Sequence, residues 1–245
     1  MFIFNSSIGK KFVQAISGAF LILFLLLHGT INFFSVIDSF TGRFGIAAGD
    51  EALFSAGDGL FKLGCDFMST PVISIMVPIL ALGFVVHILY GGWLTYQNVR
   101  ARGGVKRYAV ASKANADSWS ARNMLVLGII VLGLLAFHLT HFWAKMQLPE
   151  VLGQSVEEGT HYLDAAFACP VTLVIYLIGF AALWFHMTHG FWSAFQSLGA
   201  NNKTWLPRLQ CISSAWATVV CVLFAVEAIV FAVRAMTGGT CTFCF

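Results

Sequence analysis

Charge is scarce in this sequence. Only 10% of its 245 residues are Asp, Glu, Lys or Arg, where a soluble domain carries about 25%. With 58% of residues hydrophobic, that deficit excludes an ordinary water-exposed globule and implies an integral membrane protein. Strong net charge is missing too. Fourteen basic residues against eleven acidic ones leave +3, and nothing in that balance suggests nucleic-acid binding. No internal repeat or low-complexity segment is apparent. The six cysteines match no complete zinc or iron–sulfur ligand set. Cys241 with Cys244, in a C-x-x-C, and Cys65 with Cys169 are two pairs for which a disulfide is chemically allowed. Unpaired thiols behaving as small hydrophobes are the simpler expectation.

What the chain does have is long apolar runs. A bilayer core needs roughly 20 apolar residues per helix, and five stretches qualify: about Phe12–Ser35, Val72–Tyr96, Asn123–Ala144, Val171–Ser197 and Cys211–Val233. None contains Lys or Arg, and Glu227 is their only carboxylate. The expected fold is all-α, an integral membrane bundle of five transmembrane helices forming one domain over residues 1–245. The first run is far longer than the roughly 7–15 apolar residues of a secretory signal. It is expected to stay as a spanning helix behind Lys10 and Lys11.

Lys and Arg concentrate in cytoplasmic loops. The side holding the N-terminus and the second and fourth connections has ten of them: Lys10, Lys11, Arg100, Arg102, Lys106, Arg107, Lys113, Arg122, Lys203 and Arg208. The other side has four, Arg43, Lys62, Lys145 and Arg234, and nine of the eleven acids. The N-terminus is therefore expected in the cytoplasm and the C-terminus outside, as a multi-pass protein of a bacterial inner membrane.

Histidine supplies the chemistry. His28, His87, His138 and His186 lie one in each of the first four spans, and an ionisable side chain in hydrocarbon is a functional-site hypothesis by default. At about 1.5 Å of rise per residue, His28 and His138 fall roughly 6–7 Å outward of their midpoints. His87 and His186 fall roughly 4–5 Å toward the cytoplasm. The four thus sort into an outer pair and an inner pair, the arrangement that bis-imidazole ligation of two haems requires. His141 and His189 follow His138 and His186 by three residues, a spacing that shares a helix face, and depth alone leaves His141 open as the outer ligand. His161 is expected at the surface.

Other residues support this reading. Gly18, Gly83, Gly91, Gly92, Gly128, Gly133, Gly179 and Gly190 lie within the spans, where a missing side chain admits either a porphyrin face or plain helix packing. Gln14, Ser17, Trp119, Ser120, Arg122, Ser193 and Gln196 fall at cytoplasmic helix ends and are candidates for haem propionates, Arg122 foremost because a guanidinium binds a carboxylate through two bonds. Glu227 falls roughly 7 Å outward of its midpoint, in the layer of His28, His138 and His141. A carboxylate there costs a few kcal/mol unless it is paired or protonated. Glu227 and His141, with Asp66 at the outer entrance to the second span, are the candidates for proton handling at a distal quinone site.

These residues carry a resemblance. Q-A-I-S-G at Gln14–Gly18 with His28 ten residues on, H-I-L-Y-G at His87–Gly91, F-H-L at Phe137–Leu139 and F-H-M-T-H-G-F-W-S at Phe185–Ser193 are similar to the single-chain, five-helix, di-haem cytochrome b membrane anchor of succinate:quinone and quinol:fumarate oxidoreductases. The resemblance implies His87 and His186 as ligands of the inner haem and His28 and His138 as ligands of the outer one. It leaves His189 among the haem surroundings and His141 on the quinone side. It further implies menaquinone as lipid substrate and partner subunits on the cytoplasmic side, an iron–sulfur protein and a flavoprotein with covalent FAD. A dimer of that heterotrimer is among the assemblies it allows. The chain has no G-x-G-x-x-G after a strand and no soluble domain, so dicarboxylate chemistry would belong to those partners. In one respect the sequence departs from the family. Where some fumarate reductases have a glutamate two residues before the fourth-span ligand, Trp184 stands here. A cytochrome b of a hydrogenase or formate dehydrogenase fits the one-ligand-per-span pattern less well. A histidine-relay transporter predicts broken helices and an inverted repeat.

Overall fold

The computed structural model describes residues 6–43, 59–104, 119–157, 159–200 and 202–237. Every regular element among these is helical. An apolar run in lipid has no water to bond its peptide groups, so only a helix satisfies them within the segment. In chain order the helices are α1 (Ser7–Arg43), α2 (Leu60–Met68), α3 (Pro71–Ala101), α4 (Trp119–Arg122), α5 (Met124–His138), α6 (Gln147–Val151), α7 (Gly159–Phe167), α8 (Pro170–Ser197) and α9 (Trp205–Thr237). A π-helical turn, Leu139–Trp143, continues α5, closed by a hydrogen bond of 2.8 Å from the Ala144 amide to the Leu139 carbonyl.

Five segments are long and apolar enough to cross a membrane: Ser7–Phe40, Pro71–Ala101, Met124–Trp143, Pro170–Ser197 and Trp205–Thr237. They coincide with the five expected runs, and the first, second and fifth are longer at both ends because the helix continues into the flanking residues. Pro71 and Pro170 open α3 and α8, where the missing amide hydrogen would have no intrahelical partner anyway. Pro78 lies in the interior of α3. The chain is thus a multi-pass membrane protein.

The chain divides into two compact units. The first comprises Met1–Leu25, Ile75–Ile129 and Leu183–Thr218, and the second Leu26–Ser74, Ile130–Ala182 and Val219–Phe245. Each of the five spans contributes a segment to both. In the second unit an aromatic core gathers Phe61, Leu163, Phe167, Tyr176 and Phe231, with Phe34, Phe137, Phe142 and Phe180 packed around it. The short helices α2 and α7 belong to this core. In the first unit Leu21, Leu127, Leu183, Met187, Trp192 and Ala217 are buried.

Polar contacts pin the short helices of the second unit. The Asp38 carboxylate accepts hydrogen bonds from the amides of Leu60 and Phe61 at 3.1 and 2.8 Å, so a residue of α1 caps the N-terminus of α2. Arg234 on α9 pairs with Asp164 on α7 at 3.3 Å and donates to Ser39 at 3.5 Å. Burial pushes the Asp164 carboxyl up, against the pull of Arg234 and His161.

The cysteines require a correction. Cys169 is disulfide-bonded, but Cys65, Cys211 and Cys221 carry thiols, so Cys65 is not its partner. Cys65 belongs instead to the packing around the aromatic core. Cys241 and Cys244 lie outside the described residues, as do Lys106, Arg107 and Lys113 among the basic residues named above.

The cap makes a measurable contribution. Asp38→Ala is expected to lower stability by about 1 kcal/mol, the usual cost of losing a helix cap. A Cβ at Gly59 would overlap the same carboxylate, so Gly59→Ala should produce a comparable loss. Thermal unfolding of both variants in detergent, followed by circular dichroism, checks this.

Candidate functional site

The four expected histidines meet as two pairs, one in each unit. In the first unit α3 brings His87 to His186 of α8, with ring centroids 6.2 Å apart and planes 73° apart. Both rings lie against glycine. A Cβ at Gly18 would stand 3.2 Å from His87 Cε1, and one at Gly128 would stand 3.7 Å from His186 Cε1. The His186 Nδ1 atom is buried without a hydrogen-bond partner, as is Oε1 of Gln14. Such groups are rare in a native interior and call for an explanation. The Gln14 amide nitrogen lies 3.3 and 3.4 Å from the two ring nitrogens of His87. Ser17 Oγ is 3.4 Å from Nδ1 of the same ring and donates to the Gln14 carbonyl at 3.1 Å. Gln14 and Ser17 therefore hold the imidazole itself.

The remaining candidates of this unit are dispersed. His189 packs edge-on against Trp192 at 4.8 Å, and its Nδ1 is buried without a hydrogen-bond partner. Trp119 is exposed and tilts against Phe185 at 5.1 Å. Arg122 is exposed, Ser120 buried, and Ser193 and Gln196 half-buried. Trp184 donates its indole hydrogen to Thr218 Oγ1 at 2.9 Å. Of the glycines, Gly83 takes Phe20 and Gly190 takes Met124, whereas Gly92 has open space beside it.

In the second unit α1 brings His28 to His138 of α5, with centroids 5.7 Å apart and planes 87° apart. Phe224 packs on His28 at 5.8 Å. Asn32, one turn on from His28, directs its amide nitrogen at both ring nitrogens, 3.2 and 3.4 Å away. His138 and His141 both lie against Phe142, at 5.1 and 6.4 Å, yet they meet different partners. The π turn begins directly after His138 and changes the angular spacing. His138 meets His28, while His141 packs on Phe137 at 4.3 Å and lies with Nδ1 3.5 Å from the Tyr176 hydroxyl. π turns of this kind occur often at functional sites.

The three proton-handling candidates fall in separate surroundings. Glu227 is buried and accepts a hydrogen bond from Ser35 Oγ at 3.5 Å. His141 sits beside Tyr176. Asp66 is exposed, pairs with Lys62 at 2.9 Å and lines an open, largely apolar cavity of about 560 Å3 with Leu27, Thr30, Ile31, Phe34 and Phe67. His161 is exposed, as expected.

Two residues escaped the sequence reading. Asn32 carried a usable signal, its i+4 spacing from His28 on one helix face. Tyr176 carried a weaker one, a hydroxyl in an otherwise apolar stretch of the fourth span. No protein-family model, curated protein or solved structure matches this chain.

Proposed function

We propose that the chain is the membrane anchor and electron-transfer subunit of a succinate:quinone or quinol:fumarate oxidoreductase, a cytochrome b holding two haems. The observation that carries this reading is the spacing of the two histidine pairs. Metal–imidazole bonds are about 2.0–2.1 Å long, and each ring nitrogen lies roughly 1.1 Å from its ring centroid, so two imidazoles on opposite faces of one metal have centroids about 6 Å apart. The observed separations are 6.2 and 5.7 Å.

His87 and His186 would hold one haem, and His28 and His138 the other. Bound there, haem iron would supply one-electron chemistry at a potential set by its histidine ligands and their surroundings. The chain's own residues do the rest. Gly18 and Gly128 keep the flanks of the first pair clear of side chains. The amides of Gln14 and Asn32 lie within 3.4 Å of the rings of His87 and His28; with its carbonyl oxygen turned to the ring, each would accept the N–H of the nitrogen that takes no metal and so orient the imidazole. In this reading His189, one helical turn after His186, belongs to the surroundings of the first pair.

Menaquinol or menaquinone is the lipid substrate in this reading. The cavity beside Asp66 is apolar enough for an isoprenoid quinone, and Glu227 and His141 handle protons in the same unit. The basic loops face the cytoplasm, where an iron–sulfur subunit and an FAD flavoprotein dock and carry the dicarboxylate chemistry. The membrane is the bacterial inner membrane.

The purified complex is expected to contain two b-type haems per chain, both low-spin; a pyridine haemochrome assay that finds one or none overturns the assignment. His28→Ala or His138→Ala should remove one haem and keep the other, and His87→Ala or His186→Ala should do the reverse. A reduced-minus-oxidised spectrum reads both outcomes. If His141→Ala rather than His138→Ala costs the haem of the second unit, the third-span ligand is misassigned. Affinity purification should recover a flavoprotein and an iron–sulfur protein, and a nickel–iron or molybdenum subunit in their place would favour a hydrogenase or formate dehydrogenase.

A further inference from the structure

No residue of α3 is buried, so much of its surface is open to whatever surrounds the chain. At one end that surface is not plain hydrocarbon. Trp93 and Tyr96 are 51% and 55% exposed, with rings 5.9 Å apart and tilted by 37°. Lys10, half-buried on α1, holds its ammonium 5.7 Å from the centre of the Trp93 ring. With its amide oxygen turned toward them, Gln97 accepts hydrogen bonds from the Lys10 ammonium and the Trp93 indole, both at 3.1 Å. All four residues belong to the first unit. An ammonium has three N–H donors and Gln97 accepts one, so Lys10 is held in place with donors to spare. Arg100 is exposed, one turn beyond Gln97 on the same helix.

Depth and charge narrow what can sit there. The apolar run of α1 opens at Phe12 and that of α3 closes at Tyr96, so the cluster lies where hydrocarbon gives way to headgroups, the level at which Trp and Tyr concentrate. No Asp or Glu occurs over residues 1–37 or 67–116, so neither segment carries a carboxylate to neutralise Lys10, Lys11 or Arg100. We propose that Lys10, Trp93 and Gln97, with Arg100 beside them, form a binding site for one anionic phospholipid. Its phosphodiester sits on the Lys10 ammonium, the chemistry by which basic clusters at helix ends take acidic lipids. Its acyl chains lie along Leu82, Val85 and Leu89, all exposed and leading to Trp93 at spacings of three and four residues. Because Gln97 and the ring already hold the ammonium, the lipid does not have to order that side chain on binding. A protein subunit docks on loops beyond the membrane surface. This cluster lies at the membrane edge, and its aromatic side continues into an apolar stripe, which favours a lipid.

The experiment is a lipid titration of the purified protein, with any subunits it carries, read by native mass spectrometry. Phosphatidylglycerol should bind about tenfold or more tightly than phosphatidylcholine with the same chains, since each basic side chain near the headgroups contributes a factor of about five for an anionic lipid. Lys10→Gln should lower that ratio about fivefold, and Lys10→Arg, which keeps the charge, should preserve it. Trp93→Leu leaves every charge in place and should still lower the ratio about threefold, because the ammonium loses the ring that holds it. If Lys10→Gln does not insert, Trp93→Leu carries the test alone. Equal affinities in the unaltered protein, or an unchanged ratio in either variant, overturn the site. So does a Lys10→Gln protein that sheds a subunit while its lipid ratio stays, which makes the cluster a protein interface. Inorganic phosphate at matched ionic strength should leave the ratio standing; if it abolishes the ratio, the cluster takes a soluble phosphate and the lipid assignment falls. The assay needs neither haem nor quinone, so its failure and that of the electron-carrier reading are separate results.

Discussion

A polar group inside hydrocarbon must find its partner within the protein, and that constraint organises this molecule. The hydroxyls in its spans obey it locally. Ser17, Thr30, Thr95 and Thr218 each bond back to a carbonyl three or four residues earlier on their own helix. Others reach across: Ser213 donates to the Thr188 carbonyl and the Trp184 indole to Thr218. Against that background, among the described residues, Gln14 Oε1, His186 Nδ1, His189 Nδ1 and Trp216 Nε1 stand out as buried atoms without a hydrogen-bond partner. All four lie in the first unit, where the His87–His186 pair also lies. Two of them, His186 Nδ1 and Gln14 Oε1, belong to the pair itself and to the residue that reaches its other ring.

Hydrophobic segregation does little of the packing work, because lipid tails are as apolar as leucine. Close approach does it. Along α9 the buried positions Ala217, Cys221, Phe224, Ala228, Phe231 and Ala235 recur every three or four residues, and most are small enough to let neighbouring backbones come near. α3 is the opposite case, a span with no buried residue. Its contribution is His87, held from α1 by Gln14 and Ser17. Gly179 admits Leu134 in the second unit in the same spirit as Gly83 admits Phe20 in the first.

Much of this was legible beforehand. The spans could be read because charge is absent from them, and the pairing of His28 with His138 and of His87 with His186 because rise per residue converts sequence position to depth. The side-chain partners of those histidines were not read as such: Asn32 escaped although helical spacing puts it beside His28, and Gln14 and Ser17 reach His87 from another helix. What escaped depends on local irregularity or on contacts between distant segments. A π turn has no reliable sequence signature, so the different partners of His138 and His141 could not be foreseen. Tyr176 meets His141 across 35 residues of chain, a proximity that no periodicity encodes. The cap that Asp38 places on α2 spans 22 residues for the same reason.

The π turn at Leu139–Trp143 also sets a phase. It amounts to one residue more than a regular helix would use over that stretch, and each residue of an α-helix turns the chain by about 100°. Everything that follows, from the Ala144 turn to the start of α8, inherits that rotation. The extra residue therefore works as an indexing notch. Relatives lacking it would present the residue after their third-span histidine to another neighbour, and a chimera joined across this point would have to carry the notch from the same parent as α8 to keep His141 facing Tyr176.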